Sequence, residues 1–316
     1  MNFHKFPSLE NHYREKFVDM VRIHAPSDES VATEKIHGAN FSFWTDGVNV
    51  LPAKRSGFIK EDESFYGCGE VVHHYIPKVL SVFKDVLIDR PDTTSMVIYG
   101  ELYGQGIQKE INYGEKDFVA FDIVLATDDE HTRLSWEEAV FHCVDIMPFV
   151  PVIQRGTLEE LLQINVNQMS SVQAAVKGIG GEITEGIVIR HATKNIVLPT
   201  GSSGIIKLKS DSFLETKARK TKTPPKPLDP ATQEYYELLV SAITLPRLMN
   251  VVSKEGLVDK SKFGYIMSLM LGDVITDTLG DYSIDLDKKE RSRAQKMCNA
   301  LVSKLIKENW DSVFSS

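Results

Sequence analysis

The sequence predicts an α+β fold: an antiparallel-sheet domain over residues 1–227, followed by a small all-helical domain over residues 228–316. Three observations carry this. Short β-rich runs bounded by glycine or polar residues recur through the first two thirds of the chain, with short helical patterns between them. A proline-rich basic stretch, Thr221-Lys222-Thr223-Pro224-Pro225-Lys226-Pro227, then reads as a stiff, extended linker. Beyond it the apolar residues fall at helical spacing and no strand pattern returns.

Taken in order, Ala32 to Trp44 has β character broken at Gly38. Val48 to Arg55 pairs back onto it through Thr45-Asp46-Gly47, since Asp-Gly supplies the positive φ that a tight hairpin needs. Met96–Leu102, Phe118–Leu125, Glu185–Arg190 and Gly204–Lys209 are further strands, rich in β-branched and aromatic residues. Glu70–Val86 and Ser135–Cys143 are helices by periodicity, and residues 157–178 form another helix and a loop. In the last third, Gln233–Ile243, Lys262–Leu271 and Arg293–Trp310 are helical, the last with Met297, Ala300, Leu301 and Leu305 along one side.

Bulk properties narrow the function classes. No apolar run among the 316 residues approaches the ~18 needed to span a membrane. The first residues, Met-Asn-Phe-His-Lys-Phe-Pro, have no apolar signal core. Cys68, Cys143 and Cys298 are odd in number and scattered, which fits a reducing compartment and no disulfide framework. A cytoplasmic monomer is expected, with no membrane partner. The net charge of −8 argues mildly against nucleic acid. Clustering opposes that: from Ile205 to Lys226, seven basic residues (Lys207, Lys209, Lys217, Arg219, Lys220, Lys222, Lys226) face only Asp211 and Glu215, about +5 in one segment. Such a stretch is either a solvated linker or a phosphate-contacting border of the active site.

The chemistry rests on five short motifs in fixed order: Lys35-Ile36-His37-Gly38, Tyr99-Gly100-Glu101, Phe121-Asp122-Ile123, Glu185-Gly186-Ile187-Val188 and Lys207-Leu208-Lys209. Each alone is common; the ordered set describes a pocket that attaches a nucleotide to a lysine. A free lysine has a pKa of about 10.4 and is a poor nucleophile until neighbouring positive charge or burial frees its amine. Lys207 and Lys209 alternate with Leu208 and so share a face, where they can grip an α-phosphate and depress the pKa of Lys35. Gly38 leaves room for a ligand and tolerates positive φ. His37 either contacts phosphate, positions the leaving group or packs in a turn. Asn40 offers an amide to phosphate or metal-bound water, and Arg55 a planar fork to a ribose hydroxyl or phosphate. Glu101, Asp122 and Glu185 lie on or beside apolar strands, where a carboxylate is costly unless paired or bound to metal. One can hold ribose hydroxyls and others hydrated Mg²⁺. Phe121 can stack on a base, facing away from Asp122 on an ideal strand. There is no Walker phosphate loop and no Gly-x-Ser-x-Gly elbow.

These residues resemble the covalent nucleotidyltransferases, the superfamily of polynucleotide ligases and messenger-RNA capping enzymes. Glu34 to Ser42 is similar to the RNA ligase 2 branch of phage and RNA-editing ligases, with His37 where DNA ligases and capping enzymes usually carry aspartate. Ser8–Tyr13, Gly106–Lys109 and Tyr113–Phe118 resemble the phage-type enzymes as well. The likeness covers about residues 1–220 and continues more weakly through the helical tail, where DNA ligases and capping enzymes typically append a β-barrel.

The resemblance implies an ATP-dependent RNA ligase that seals 3′-OH/5′-phosphate nicks in duplex RNA or RNA/DNA hybrid through a lysyl-AMP intermediate. It implies Lys35, His37, Lys207 and Lys209 as catalytic. It implies a nucleotide held by Glu34, Lys35, Ile36, Asn40, Arg55, Glu101, Phe121, Glu185, Lys207 and Lys209. Mg²⁺, replaceable by Mn²⁺, would be served by Asn40, Asp122 and Glu185. Residues 1–227 would then be the adenylyltransferase domain and the helical residues 228–316 would help engage the nicked duplex; the role is RNA repair, in the host-cell cytoplasm if the source is a phage. A DNA ligase, a GTP-using guanylyltransferase and a non-enzymatic nucleic-acid scaffold are the alternatives.

Overall fold

The computed structural model of the chain describes residues 1–25, 29–214, 229–256, 258–281 and 286–314. The chain divides into two compact units, Met1–Ser212 and Phe213–Ser316. The expected boundary at 227/228 and the basic residues from Lys217 to Lys226 lie outside the described residues. Among the described residues, no helix is long and apolar enough to cross a membrane.

The first unit begins with β1 (Glu10–Asn11), α1 (Glu15–His24), β2 (Ser30–Lys35), β3 (Ala39–Thr45), β4 (Val50–Lys54), β5 (Gly57–Phe58) and α2 (Gly69–Asp89). It continues with β6 (Ser95–Tyr103), β7 (Asp117–Ala126), β8 (His131–Arg133), α3 (Trp136–Cys143), β9 (Val152–Gly156), α4 (Leu158–Leu162), α5 (Val172–Val176), β10 (Gly186–His191) and β11 (Ile206–Lys209). The strands form two sheets, in the orders β1-β11-β10-β2-β9 and β5-β4-β3-β6-β7-β8. All neighbours run antiparallel except β1 with β11.

The run from Ala32 to Trp44 is therefore not one interrupted strand. β2 belongs to the first sheet and β3 to the second, and Ile36-His37-Gly38 is the crossing between them. Gly38 is needed for a close approach rather than a left-handed turn: a Cβ there would lie 2.3 Å from the Leu102 carbonyl oxygen. Alternation along the strands sorts each sheet into two faces. On the second sheet, Phe41, Phe43, Met96, Ile98, Leu102 and Phe118 pack with α2 residues Tyr75, Val79, Val82 and Val86. Burying each such side chain contributes roughly 1.5–3 kcal/mol. On the first sheet, Ala32, Ile187, Ile189, Ile206 and Leu208 pack with Phe17, Val18 and Val21 of α1 and Leu158 and Leu161 of α4. The other face of each sheet carries the site beside smaller apolar clusters: Phe6, Trp44, Val97 and Tyr99 on the second sheet and Val31 with Trp136 on the first.

Residues 157–178 form two short helices and a 3₁₀ turn rather than one helix, each started by its own side-chain cap: Thr157, Asn165 and Ser171. Three capping residues so closely spaced favour restarting over continuing. The second unit comprises α6 (Pro230–Ala242), α7 (Leu245–Glu255), α8 (Phe263–Asp281), α9 (Lys288–Glu308) and α10 (Trp310–Val313). Asp229 caps α6 and Pro230 occupies its first turn, where a missing N–H costs nothing. Leu239, Leu248, Val252, Ile266, Met270, Cys298 and Val302 share its core. Arg247, 1% exposed, is held there by Asp273 at 2.6 Å and Asp277 at 2.7 Å.

Candidate active site

Register explains how the motifs meet. Gly186 on β10 lies opposite Lys35 on β2 and opposite Lys209 on β11, so the three form one row across the first sheet. Two residues along, Val188 lies opposite Thr33 and Lys207. Lys35, Lys207 and Lys209 therefore share a face, as does Arg190 further along β10. Gly186 has φ +153°, and a Cβ there would lie 1.9 Å from the Leu208 carbonyl oxygen, so only glycine lets the two lysine strands close on β10.

Glu185, just before that glycine, joins the row. One oxygen accepts from Lys35 Nζ at 2.9 Å and from Lys209 Nζ at 3.1 Å, and the other lies 3.1 Å from His37 Nδ1. It is almost fully buried. Burial opposes its charge, but Lys35, Lys209 and His37 outweigh that and hold its carboxyl well below the usual carboxylate range. His37 Nε2 reaches Glu110 Oε2 at 3.0 Å, and the His37 backbone N–H donates to the Tyr113 hydroxyl at 3.2 Å. Burial disfavours the imidazolium, yet its hydrogen bonds to the Glu110 and Glu185 carboxylates raise its pKa. Sequence reasoning assigned no role to Glu110 or Tyr113. Both fall within or beside tracts that carried the family resemblance, which was the available signal.

The second sheet supplies the facing residues. Asn40 at the start of β3 lies directly opposite Glu101 on β6. Burial raises the Glu101 carboxyl to about 7, with Lys35 opposing and Glu185 adding to the shift. Near neutrality this group can thus both donate and accept. Arg55, past the end of β4, donates to Ser8 Oγ at 3.0 Å and stands near enough to Glu101 to favour its ionised form.

Phe121 is where pairing between β6 and β7 slips: Tyr99 pairs with Asp122, but Gly100 pairs with Ala120. Phe121 is the extra residue of a β-bulge. Both Phe121 and Asp122 consequently turn toward the site side, contrary to the alternation expected of an ideal strand. Half-buried Phe121 packs edge-on against Phe6, 5.1 Å between ring centroids.

Two residues of the expected site have protein partners of their own. Asp122 was expected beside the metal. Its carboxylate is 0% exposed and instead takes Arg190 Nη2 at 2.7 Å, with Arg133 Nε at 3.6 Å. Arg190 Nη1 also donates to the Phe121 carbonyl at 2.9 Å. Arg190 thus ties β10 of one sheet to the bulge of the other, and Asp122 neutralises it. Glu34 was expected to touch the nucleotide. Its side chain lies on the face away from Lys35, 1% exposed, accepting from Ser171 Oγ at 2.6 Å and Gln173 N at 2.8 Å. It fastens the start of α5. Burial raises its pKa against those bonds. Ile36 is buried in the crossing, 4% exposed. Among the described residues, no group of three or more His, Cys, Asp or Glu side chains is assembled around a metal position.

The chain matches two family models, one described as RNA ligase over residues 28–209 and one described as T4 RNA ligase 2 C-terminal over residues 228–310. It is similar to the mitochondrial RNA-editing ligase 1 of Trypanosoma brucei brucei, 28% identical over 240 residues, covering 60% of this chain and 51% of that protein. It is also similar to RNA-editing ligase 2 of the same organism, 23% identical over 352 residues, covering 88% and 83%. The chain thus spans about half the length of the first of these curated relatives. Among solved structures it resembles a Naegleria gruberi RNA ligase with pyrophosphate, at 15% identity, coverage of 67% and 57%, and TM-score 0.47. It likewise resembles an archaeal ATP-dependent RNA ligase at 15% identity, coverage of 97% and 65%, and TM-score 0.45.

Proposed function

The chain belongs to the RNA ligase family, and from that premise we propose that it is an ATP-dependent RNA ligase sealing 3′-OH/5′-phosphate nicks in duplex RNA, a repair activity. The observation that carries this is the row Lys35–Gly186–Lys209 with Glu185 bridging the two lysines. A nucleophilic amine stands beside a second fixed cation on one strand face, with Lys207 next along it. That arrangement suits attack on a phosphate better than a salt bridge built for stability.

In this reading the Lys35 amine, having lost a proton, attacks the α-phosphorus of ATP. A P–N bond forms, a P–O bond breaks and pyrophosphate leaves. A 5′-phosphate oxygen of the RNA then attacks the same phosphorus, breaking the P–N bond and regenerating the lysine. Finally the neighbouring 3′-hydroxyl attacks the RNA phosphate, loses its proton and expels AMP. Lys207 and Lys209 bind phosphate oxygens, Glu101 and Arg55 the ribose, and Phe121 stacks on adenine from the side opposite Phe6. Glu34 and Ile36 act by fixing the ends of β2 and the crossing. His37, held between two carboxylates, faces the leaving-group side.

A divalent cation fits the site in part. Asn40 and Glu101 are paired across β3 and β6, and Glu185 is charged. Mg²⁺ needs only one or two carboxylates, with substrate phosphates and water completing its shell. Bound there, it would neutralise developing phosphate charge. Asp122 acts in this scheme only by holding Arg190.

The test is incubation with α-³²P-ATP and Mg²⁺ beside a Lys35→Ala variant, followed by a denaturing gel and by nicked-RNA sealing. A labelled band in the parent protein that is lost in the variant and absent with GTP is expected. No band after pyrophosphate has stripped any bound AMP would refute the ligase reading.

A further inference from the structure

α9 is a helix of opposite faces. Ala294, Cys298, Val302 and Ile306 are buried along one side. Lys289, Arg293, Lys296, Lys304 and Lys307 are all exposed. Their steps of four, three, eight and three residues return to the same azimuth at 3.6 residues per turn, diametrically opposite the buried set. The stripe runs about 27 Å along the helix at ~1.5 Å per residue.

A solvent face of ordinary composition mixes charges, pairing lysine with glutamate a turn away. Here acids flank the stripe only at Glu290 and Glu308. Among the described residues the one ion pair recorded for these five cations is Lys304–Glu308, at 3.6 Å between well-exposed groups. Lys307 also lies 5.9 Å over the Phe263 ring. Five like charges on one line repel one another. In a chain of net charge −8 this face stands out as locally basic, and a straight row of cations matches the regularly spaced charges of a linear polyanion.

We infer that the exposed stripe of α9, Lys289-Arg293-Lys296-Lys304-Lys307, is a docking surface for the phosphate backbone of the RNA duplex. This rests on the ligase reading above and adds to it a set of residues on the helical unit that grip the substrate backbone. Lysines and one arginine on a straight rod contact phosphates without reading bases, so the surface is indifferent to sequence.

The experiment measures duplex-RNA affinity of the full chain against salt concentration. It compares the parent protein with a quintuple variant, Lys289→Gln/Arg293→Gln/Lys296→Gln/Lys304→Gln/Lys307→Gln. Glutamine keeps helix propensity near that of lysine. Two half-stripe variants, Lys289→Gln/Arg293→Gln and Lys304→Gln/Lys307→Gln, guard against a misfolded quintuple, with thermal unfolding followed throughout. Each phosphate contact contributes ~0.9 to the slope of log K against log salt, so five contacts account for up to ~4.5. A slope shallower by at least ~2 in the quintuple, and by about half that in each double, is expected. An unchanged slope in the folded variants overturns the inference while leaving the ligase reading, which nick sealing by the parent protein reports separately. Loss of binding to phosphatidylserine vesicles with unchanged RNA binding overturns it in favour of a lipid surface. A shallower RNA slope in a chain that forms no labelled lysine adduct supports the stripe and removes the ligase reading instead.

Discussion

Replacing Glu185 with glutamine keeps the shape of the side chain and deletes its charge. In the structure that charge answers Lys35 at 2.9 Å, Lys209 at 3.1 Å and His37 at 3.1 Å, all in a largely buried setting. At an effective dielectric near 20, each contact of about 4 Å between charges is worth ~4 kcal/mol before desolvation is subtracted. Removing one partner from a buried pair typically costs ~3–5 kcal/mol, because the remaining charges stay buried and uncompensated. The expected loss for Glu185→Gln is therefore ~3–5 kcal/mol at pH 7. The pH dependence has a definite sign. The folded-state pKa of Glu185 lies well below the ordinary 4.5, so its contribution is fully present above 4.5 and fades as pH falls toward the folded value. Parent and variant should thus converge in acid. The assay is a urea titration with pulsed hydrogen exchange read on peptides from β2 and β10, at pH 7, 5 and 4, which isolates the first unit from the second. A loss below ~1 kcal/mol at pH 7, or a gap that does not narrow at the lowest pH, would refute the view that Glu185 is the charge hub of the site.

Further outcomes follow from the same geometry. Asp122→Asn leaves Arg190, 7% exposed, without its buried counter-charge, and should lower stability by ~3 kcal/mol in denaturant unfolding. The double variant Asp122→Leu/Arg190→Met should lose less than the two single changes summed. Gly186→Ala, whose Cβ would meet the Leu208 oxygen at 1.9 Å, should cost ~3 kcal/mol or more in thermal unfolding, whereas Gly57→Ala, with nothing within 4 Å, should be nearly neutral. Glu110→Gln removes one of two carboxylates that raise His37, so the imidazole titration followed by NMR should move to lower pH. Because the folded pKa is raised, the stability that Glu110 contributes through His37 is greatest below 6.5 and vanishes as pH rises through the folded value; a shift to higher pH would count against the contact.

Much of this was legible in the sequence because it depends on short-range rules. Alternation placed Lys207 and Lys209 on one face, and Thr45-Asp46-Gly47 marked the β3–β4 hairpin that the register shows. What was illegible depends on pairing between distant segments. Nothing local separates β2 from β3 into different sheets, since a glycine inside a β run looks the same as a bend. The slip at Phe121 is visible only in the pairing of β7 with β6. The partner that Asp122 takes in the fold, Arg190, lies 68 residues away in sequence. Glu34 adjoins Lys35 in sequence, but strand alternation sends its side chain to the other face, where Ser171 and Gln173 receive it. Glu110 sits in an aperiodic loop, where no pattern announces a side chain that reaches His37.

The bulge at Phe121 also constrains how such a chain can diverge. Elsewhere on β7 a substitution changes one side chain and leaves its neighbours as they were. Here the count of residues is itself the determinant. Deleting the Phe121 codon would restore continuous pairing with β6, leaving Ala120 opposite Gly100 and Asp122 opposite Tyr99 as they are, and would remove one of the two neighbouring residues that the bulge turns to the same side. Val119 and Ala120 would keep their aspects, so the loss falls on the site side of the strand alone. Lineages carrying this site are thereby free to vary the aromatic ring at position 121 but held to the number of residues between the Gly100 pair and the Tyr99 pair. Insertions and deletions in this strand should be purged even where amino-acid exchanges are accepted.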